Sequence, residues 1–279
     1  MSEPEILRYT AFTDTAAGGN PAGVVLDAHG LDASRMLAIA ADVGYSETAF
    51  LLPRADGAYD VRYYSPEKEI SFCGHATIAA AVALAERTAP GTLRLHTRAG
   101  EVGVETHREG ARTTATLTSV APHVEAASDE LLGRALGALH WSPEELDPAL
   151  PPRIGFAGAR HLILAARTRE RLRALDYDYA ALKELMLAND LTTVALVWRE
   201  APALFHARNP FPPGGVVEDS ATGAAAAAFG AYLRERALVV PPATITIHQG
   251  VDMGRPSLLV VDIGESGGIR VTGQAVPIE

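Results

Sequence analysis

The segment CGHATIAAAVALA at residues 73–85 has a counterpart in the second half of the chain, DSATGAAAAAFGA at residues 219–231. Each begins with polar residues and a glycine and continues as a run of small apolar residues that predicts a helix. Helices that are apolar on every side, as residues 78–85 and 224–231 would be, are surrounded by other structure. The N–H groups at the start of a buried helix need partners, and an anion can supply them. The two segments therefore predict one active site, between two related domains, for a substrate with a carboxylate.

The two halves of the chain correspond beyond these segments. Asp219 follows Cys73 by the same number of residues as Thr193 follows Glu47. Strand and helix patterns also recur in the same order, and a repeat of this length is typical of a duplicated domain. The alternative is a chance recurrence of strand and helix order in a mixed chain.

The domain boundary is predicted between the two sets of elements. In residues 120–127, Pro122 interrupts a strand pattern and polar residues follow. We therefore predict an N-terminal domain at residues 1–121 and a C-terminal domain at residues 122–265.

Composition excludes several classes of function. The net charge is −10 with 48% hydrophobic residues, and no cluster of lysine and arginine is present. Binding to nucleic acid or to an anionic membrane surface is therefore not expected. A single cysteine rules out an intramolecular disulfide and favours a reducing compartment, the cytoplasm. Residues 1–10 lack the apolar run of an export signal, and no apolar stretch is long enough to span a bilayer.

No cofactor or metal pattern is evident in the sequence. The nine histidines show no metal-ligand spacing, and neither a phosphate-binding loop nor a dinucleotide fingerprint occurs. We therefore expect chemistry carried by side chains alone, without a metal or a cofactor.

Three side chains are candidate proton carriers. Glu47 begins an apolar strand, where loss of solvation raises the pKa of a carboxylate towards neutrality; a solvent-facing or capping carboxylate is the alternative. His75 can shuttle a proton or simply pack in the core. Asp219 can assist the chemistry or cap the helix that follows it. Taken singly, these residues leave both interpretations open.

Two further polar residues, Cys73 and Asn20, have both a functional and a structural interpretation. At a helix N-terminus, Cys73 would have a lowered pKa and could act as a base or nucleophile, whereas buried cysteines are usually inert. The absence of a second cysteine argues against a racemase with two thiol bases. Asn20 lies in the turn GGNPAG, residues 18–23, and can present its amide to a ligand or close the turn.

Five separated motifs together resemble one family. They are GNPAGV (19–24), SETAF (46–50), CGHAT (73–77), DSATG (219–223) and QGVDMGRPS (249–257). In this order they are similar to the phenazine-biosynthesis PhzF-like proteins, over residues 6–273. That family is in turn similar to diaminopimelate epimerase and proline racemase.

The resemblance implies an α+β fold of two similar domains, each a mixed β-sheet curled into a barrel around a central α-helix. It places the active site in the cleft between them, and it implies that the C-terminal strand, residues 266–279, completes the first domain. A homodimer is also expected from the resemblance.

The resemblance further implies a cofactor-independent isomerase, since its best-studied member isomerises a dihydro-hydroxyanthranilate. Carried over by motif, Glu47 moves the proton between carbons, and His75 and Asp219 assist. The expected substrate-binding residues are Asn20, Ser46, Cys73, Gly74, Gly223 and Ala224, of which the glycines and Ala224 supply N–H groups to a substrate carboxylate.

One departure from the epimerases bears on the mechanism. The epimerases have a cysteine at both helix-opening positions, whereas this chain has Cys73 at one and Asp219 at the other. Isomerisation with one base, Glu47, is therefore favoured. The rival hypotheses are an epimerase or racemase that pairs Cys73 with a base other than a thiol, and a binding protein that has lost turnover.

Overall fold

A computed structural model describes residues 3–279 of the chain. It divides into two compact units. The first contains the residues up to Thr118 together with Thr272–Glu279, and the second is Ser119–Val271. Among the described residues, no helix has the length and apolar character needed to cross a membrane.

The first unit contains nine strands and two helices. They are β1 (Leu7–Ala11), β2 (Asn20–Val25), α1 (Ala33–Val43), β3 (Glu47–Pro53), β4 (Tyr59–Tyr64), β5 (Glu69–Ile70), α2 (Gly74–Arg87), β6 (Thr92–Thr97), β7 (Gly100–Glu109), β8 (Arg112–Thr118) and most of the last strand, β17 (Arg270–Pro277).

Eight of these strands close into a barrel. The chain of neighbours runs β17, β1, β2, β3, β4, β6, β7 and β8, and β8 pairs again with β17. Helix α2 contacts β1, β2, β3, β7 and β8, so it lies inside this barrel. Its residues from His75 to Ala85 are all buried, which confirms the helix that is surrounded on every side.

The second unit contains the remaining strands and α-helices. They are β9 (His123–Ala126), α3 (Asp129–Ala138), β10 (Arg153–Phe156), β11 (Arg160–Ala165), α4 (Arg169–Arg173), α5 (Tyr179–Ala188), β12 (Thr193–Ala201), β13 (Leu204–Pro210), β14 (Glu218–Asp219), α6 (Gly223–Glu235), β15 (Ala243–Gln249) and β16 (Ser257–Ile263).

Strand pairing in the second unit repeats that of the first. From β9 to β16 the successive pairs are antiparallel, antiparallel, parallel, antiparallel, parallel and antiparallel, as they are from β17 to β7. Helix α6 contacts β9, β10, β11 and β16 and is buried along most of its length. The predicted fold of two similar domains, each a sheet around a central helix, is therefore confirmed.

Small residues allow the sheet to approach α6 closely. A Cβ atom on Gly155 of β10 would lie 3.1 Å from the carbonyl oxygen of Ala228 and 2.9 Å from Cδ1 of Ile163. On the other face of the same sheet, Ile154, Leu162 and Leu164 pack against α3 and α5. Side chains on β11 therefore alternate between α6 and the outer helices, as expected for a strand buried on both faces.

The predicted boundary region, residues 120–127, contains the first strand of the second unit. β9 follows directly after Pro122 and pairs antiparallel with β10. The C-terminal strand was expected within residues 266–279, and β17 occupies Arg270–Pro277.

Candidate active site

Glu47 and His75 face each other in the first unit. Glu47 is the first residue of β3, and His75 lies in the first turn of α2. Oε2 of Glu47 is 3.3 Å from Nε2 of His75, and the side chains are only 12% and 7% exposed. The structure therefore brings together two of the three predicted proton carriers.

Asn20 determines which nitrogen of His75 carries the proton. The amide nitrogen of Asn20 lies 3.2 Å from Nδ1 of His75. An amide nitrogen is only a donor, so Nδ1 accepts this hydrogen bond and Nε2 carries the hydrogen of the neutral ring. Nε2 is the ring nitrogen 3.3 Å from Oε2 of Glu47. In the neutral ring, Asn20 thus leaves the hydrogen on the nitrogen nearest the candidate base.

Burial shifts the protonation equilibrium of Glu47. Loss of solvation raises the pKa of its carboxyl group, while the nearby Ser46 hydroxyl and Cys73 thiol act in the opposite direction. The Ser46 hydroxyl is buried and makes no hydrogen bond of standard geometry within residues 3–279. Desolvation is the dominant effect, and it brings Glu47 closer to the range useful for taking and returning protons.

Cys73 begins α2 beside the same histidine. Its Sγ atom lies 3.4 Å from Nδ1 and 3.9 Å from Nε2 of His75. Cys73 is the N-cap of the helix, and the first hydrogen bond along α2 runs from the N–H of Thr77 to the Cys73 carbonyl. The N–H groups that precede Thr77, including that of Gly74, are therefore directed out of the helix start.

The second unit gathers a matching set around the start of α6. Oδ2 of Asp219 accepts a hydrogen bond of 2.7 Å from the Thr222 hydroxyl. Gln249 accepts from the Thr222 backbone N–H and donates to the Asp219 carbonyl. The N-cap of α6 is Thr222, so the interpretation of Asp219 as a helix cap is wrong. Gly223 and Ala224 form the first turn of α6, with N–H groups directed as in α2.

A bidentate ion pair lies next to this set. Nε and Nη2 of Arg208 donate to the two oxygens of Glu218, the residue before Asp219. Arg62 and Glu69 form the equivalent pair in the first unit, at 2.8 Å for both bonds. The unit-two pair is the more buried, with 11% and 7% exposure against 32% and 16%.

One group of side chains has the composition of a metal site. Ligand atoms of Glu47, Cys73 and His75 all lie within 4.8 Å of one another. A carboxylate, a thiolate and an imidazole form a donor set of the kind that zinc accepts. The motif spacing did not reveal this group, because Glu47 and the CGHAT motif belong to different elements of the barrel.

Sequence reasoning missed a buried polar chain in the second unit. Nδ1 of His161 lies 2.8 Å from the Thr193 hydroxyl, which donates a 3.0 Å hydrogen bond to Oδ1 of Asn209. The three residues lie on β11, β12 and β13, and all are buried. Histidine and asparagine inside runs of apolar strand residues were the only available signal.

His161 makes stability depend on pH. Burial lowers its pKa from the ordinary 6.5 to about 3, so the folded protein keeps the ring neutral while the unfolded chain protonates it. This stabilisation is complete above pH 6.5 and is lost as pH falls from 6.5 towards 3. Between pH 7 and pH 5 we expect the wild type to lose about 2 kcal/mol more unfolding free energy than His161→Gln. Urea denaturation at both pH values measures this.

The matched control for that experiment is His107→Gln, because His107 is exposed on β7. Its pH dependence should follow that of the wild type. Equal pH dependence in His161→Gln and wild type would contradict a neutral, buried His161.

Comparison with known proteins decides the family. The sequence profile of the family described as phenazine biosynthesis-like protein, PhzC-PhzF, matches residues 9–279. The chain belongs to this family. The resemblance carried by the five motifs is confirmed, and so is the assignment to an isomerase, because the curated members it matches bear that name.

Two of these family members cover most of the chain. An uncharacterized isomerase of Bacillus subtilis, YfhB, is 30% identical over 99% of this chain and 97% of its own length. The trans-2,3-dihydro-3-hydroxyanthranilate isomerase of Pseudomonas chlororaphis is 33% identical over 89% of this chain and 86% of its own.

Solved structures share the fold. A phenazine biosynthesis protein of the PhzF family from Bacillus anthracis superposes with a TM-score of 0.87 at 25% identity, covering 100% of this chain and 98% of its own. A probable proline racemase from Agrobacterium radiobacter reaches 0.66 at 15% identity, covering 98% of this chain and 90% of its own. The latter likeness shows the fold alone.

Proposed function

We propose that this family member moves a proton between two carbons of a small carboxylate-bearing substrate, with Glu47 as the acid and base and without a cofactor. The observation that carries the proposal is the pair of Glu47 and His75, 3.3 Å apart and largely buried. Membership of an isomerase family supports the reaction class.

The reaction needs only one base. The Glu47 carboxylate takes a proton from an activated C–H, and the electron pair of that bond moves into the adjoining unsaturated system. The protonated Glu47 then returns the proton to a second carbon of the same molecule, so substrate and product have the same formula. A carboxyl group whose pKa is raised by burial suits both steps, because it holds the proton between them.

We assign to His75 the stabilisation of the ionised Glu47. Its Nε2 lies 3.3 Å from Oε2, so a small shift of either side chain would let Nε2–H donate to the carboxylate before the proton is taken. The neutral tautomer set by Asn20 also leaves His75 available to relay a proton. Ser46 and Cys73 add polar contacts beside the carboxylate.

The helix starts supply donors for the substrate carboxylate. N–H groups at a helix N-terminus and the helix dipole favour an anion, and they stabilise charge that develops as the C–H proton leaves. We assign Gly74 of α2 and Gly223 and Ala224 of α6 to this role. The participation of Asp219 and of the α6 residues rests on the family resemblance.

The substrate named for the Pseudomonas chlororaphis relative is the first compound to test. Purified protein with trans-2,3-dihydro-3-hydroxyanthranilate in D2O should produce an isomer that carries deuterium at the newly protonated carbon, or the original proton if Glu47 is shielded from solvent. Proton NMR follows both outcomes. No isomer with this compound or with other unsaturated cyclic carboxylates would contradict the proposal and favour a binding protein.

Cys73 supports one alternative, because its Sγ lies against His75. A racemase or epimerase with Cys73 as one base would exchange the proton at a saturated stereocentre with solvent deuterium, and Cys73→Ala would abolish that exchange. A homodimer in the cytoplasm stays a prediction from the resemblance and the single cysteine.

A further inference from the structure

The polar chain of His161, Thr193 and Asn209 occupies the face of the second unit's strands that packs on α6. His161 lies on the same face of β11 as Ile163 and directly opposite Gly155 of β10, and a Cβ atom on Gly155 would meet both Ile163 and Ala228 of α6. Three buried polar groups in such an apolar setting weaken the core unless each is hydrogen-bonded.

The direction of each hydrogen bond is fixed by chemistry. The Thr193 hydroxyl donates to Oδ1 of Asn209, which only accepts. Its oxygen therefore accepts from Nδ1–H of His161, and Nε2 of that neutral ring is left as a lone-pair acceptor. Nε2 is buried and has no hydrogen-bond donor among residues 3–279. This series of three side chains thus keeps an unsatisfied polar atom, which is unexpected if its only role is to stabilise the fold.

Asn209 is also the cross-strand neighbour of Asp219. The two residues are directly opposite in the antiparallel pair of β13 and β14. Directly opposite side chains lie on the same face with Cβ atoms about 4.5–5.5 Å apart. Because Oδ1 of Asn209 faces Thr193, the amide nitrogen of Asn209 faces away from Thr193.

We propose that His161, Thr193 and Asn209 form a positioning chain that orients Asp219 and the start of α6 for substrate. This inference rests on the proposed function. His161 fixes the Thr193 hydroxyl, the hydroxyl fixes the Asn209 amide, and Asn209 holds the short strand that carries Asp219. None of the three is a catalytic residue, because they act through Asp219.

Three variants of the intact protein test this positioning chain. Thr193→Val removes the hydroxyl at nearly constant volume, Thr193→Ser retains it, and Thr244→Val removes a threonine hydrogen bond to Asp262 elsewhere in the same unit. We expect Thr193→Val to lower kcat at least about tenfold with little change in KM, since misplacement of a catalytic group is felt in the reacting state. Thr193→Ser and Thr244→Val should stay near wild type.

Coupling to Asp219 separates positioning from a general packing defect. In an Asp219→Asn background, Thr193→Val should add no more than about a twofold loss, because residues that act through one group are not additive. A wild-type kcat in Thr193→Val, or full multiplicative losses in the double variant, would overturn the inference.

A measurement without substrate distinguishes this inference from the proposed function. Long-range proton–nitrogen NMR of His161 at pH 7 should show a ring protonated at Nδ1 in wild type and a changed signal in Thr193→Val. A ring protonated at Nε2 in wild type would overturn the positioning chain even if the isomerase were active. An inactive wild type with the Nδ1 tautomer intact would instead count against the proposed function, and with it against the positioning role.

Discussion

Glu47→Gln is expected to lower kcat by about 1,000-fold or more while leaving KM within a few-fold of wild type. A positioned acid or base contributes about 10²–10⁴-fold, and glutamine can neither accept nor return a proton at carbon. Its amide has nearly the same volume, and its carbonyl oxygen can accept a hydrogen bond from Nε2–H of His75 as a carboxylate oxygen could, so the site geometry is preserved. Steady-state kinetics with the substrate established for wild type measures the effect.

The thermal stability of Glu47→Gln shows whether the variant is folded and also tests the burial of the Glu47 carboxylate. Glu47 is 12% exposed and its pKa is raised by burial, so the neutral glutamine avoids the desolvation of a carboxylate. Thermal unfolding of Glu47→Gln should therefore match or exceed that of wild type. Glu67→Gln, at an exposed position, should leave kcat unchanged. Activity of Glu47→Gln within about tenfold of wild type would remove Glu47 as the base.

Arg208→Met is expected to give the largest loss of stability, about 3–5 kcal/mol. The Arg208 and Glu218 side chains are 11% and 7% exposed and share two hydrogen bonds. Removal of the guanidinium leaves the Glu218 carboxylate buried without its partner, next to Asp219. Arg208 also donates to the Arg173 carbonyl, which loses its donor in the variant. Denaturant unfolding measures the change, and the slope of unfolding free energy against denaturant concentration should be the same in the variant and the wild type.

A double variant and an internal control identify the cause. Arg208→Met with Glu218→Met should be less destabilised than Arg208→Met alone, because no uncompensated charge is left behind. Arg62→Met breaks the equivalent pair in the first unit, where the side chains are 32% and 16% exposed. It should cost clearly less, since water can solvate the Glu69 carboxylate and Arg98 still donates to it. Equal losses in both units, or additivity in the double variant, would contradict burial as the reason.

The family and the fold class were readable from short motifs and composition. Alanine-rich segments with polar openings predicted the two central helices, and their burial on all sides follows from having no polar face. Asp219 follows Cys73 by the same number of residues as Thr193 follows Glu47, and this equal spacing predicted the duplication. In the fold, Glu47 and Thr193 begin corresponding strands of the two units, each paired in parallel with an earlier strand. These features depend on residues close together in the sequence or on its repeat, so they can be predicted without the tertiary structure.

The protonation pattern of the site could not be predicted in this way. That Asn20 lies against Nδ1 of His75, while Nε2 lies 3.3 Å from Glu47, depends on three elements brought together by the barrel. The direction of the Glu47 pKa shift likewise depends on what surrounds it, which is set by packing. Sequence suggested the residues, but only the tertiary structure decided which of their polar atoms lie within hydrogen-bond distance of one another.

The second unit gives the clearest contrast between the two levels. By sequence, Thr193 is the counterpart of Glu47, and nothing in its neighbourhood marks it as more than a strand residue. In the folded unit, parallel pairing sets it beside His161 and the return of β13 brings Asn209 within hydrogen-bond distance. The sequence by itself determined the repeated scaffold, because secondary structure and burial follow local patterns. Only the tertiary structure decided which polar groups meet, because hydrogen bonds between strands depend on register and on distances across the sheet.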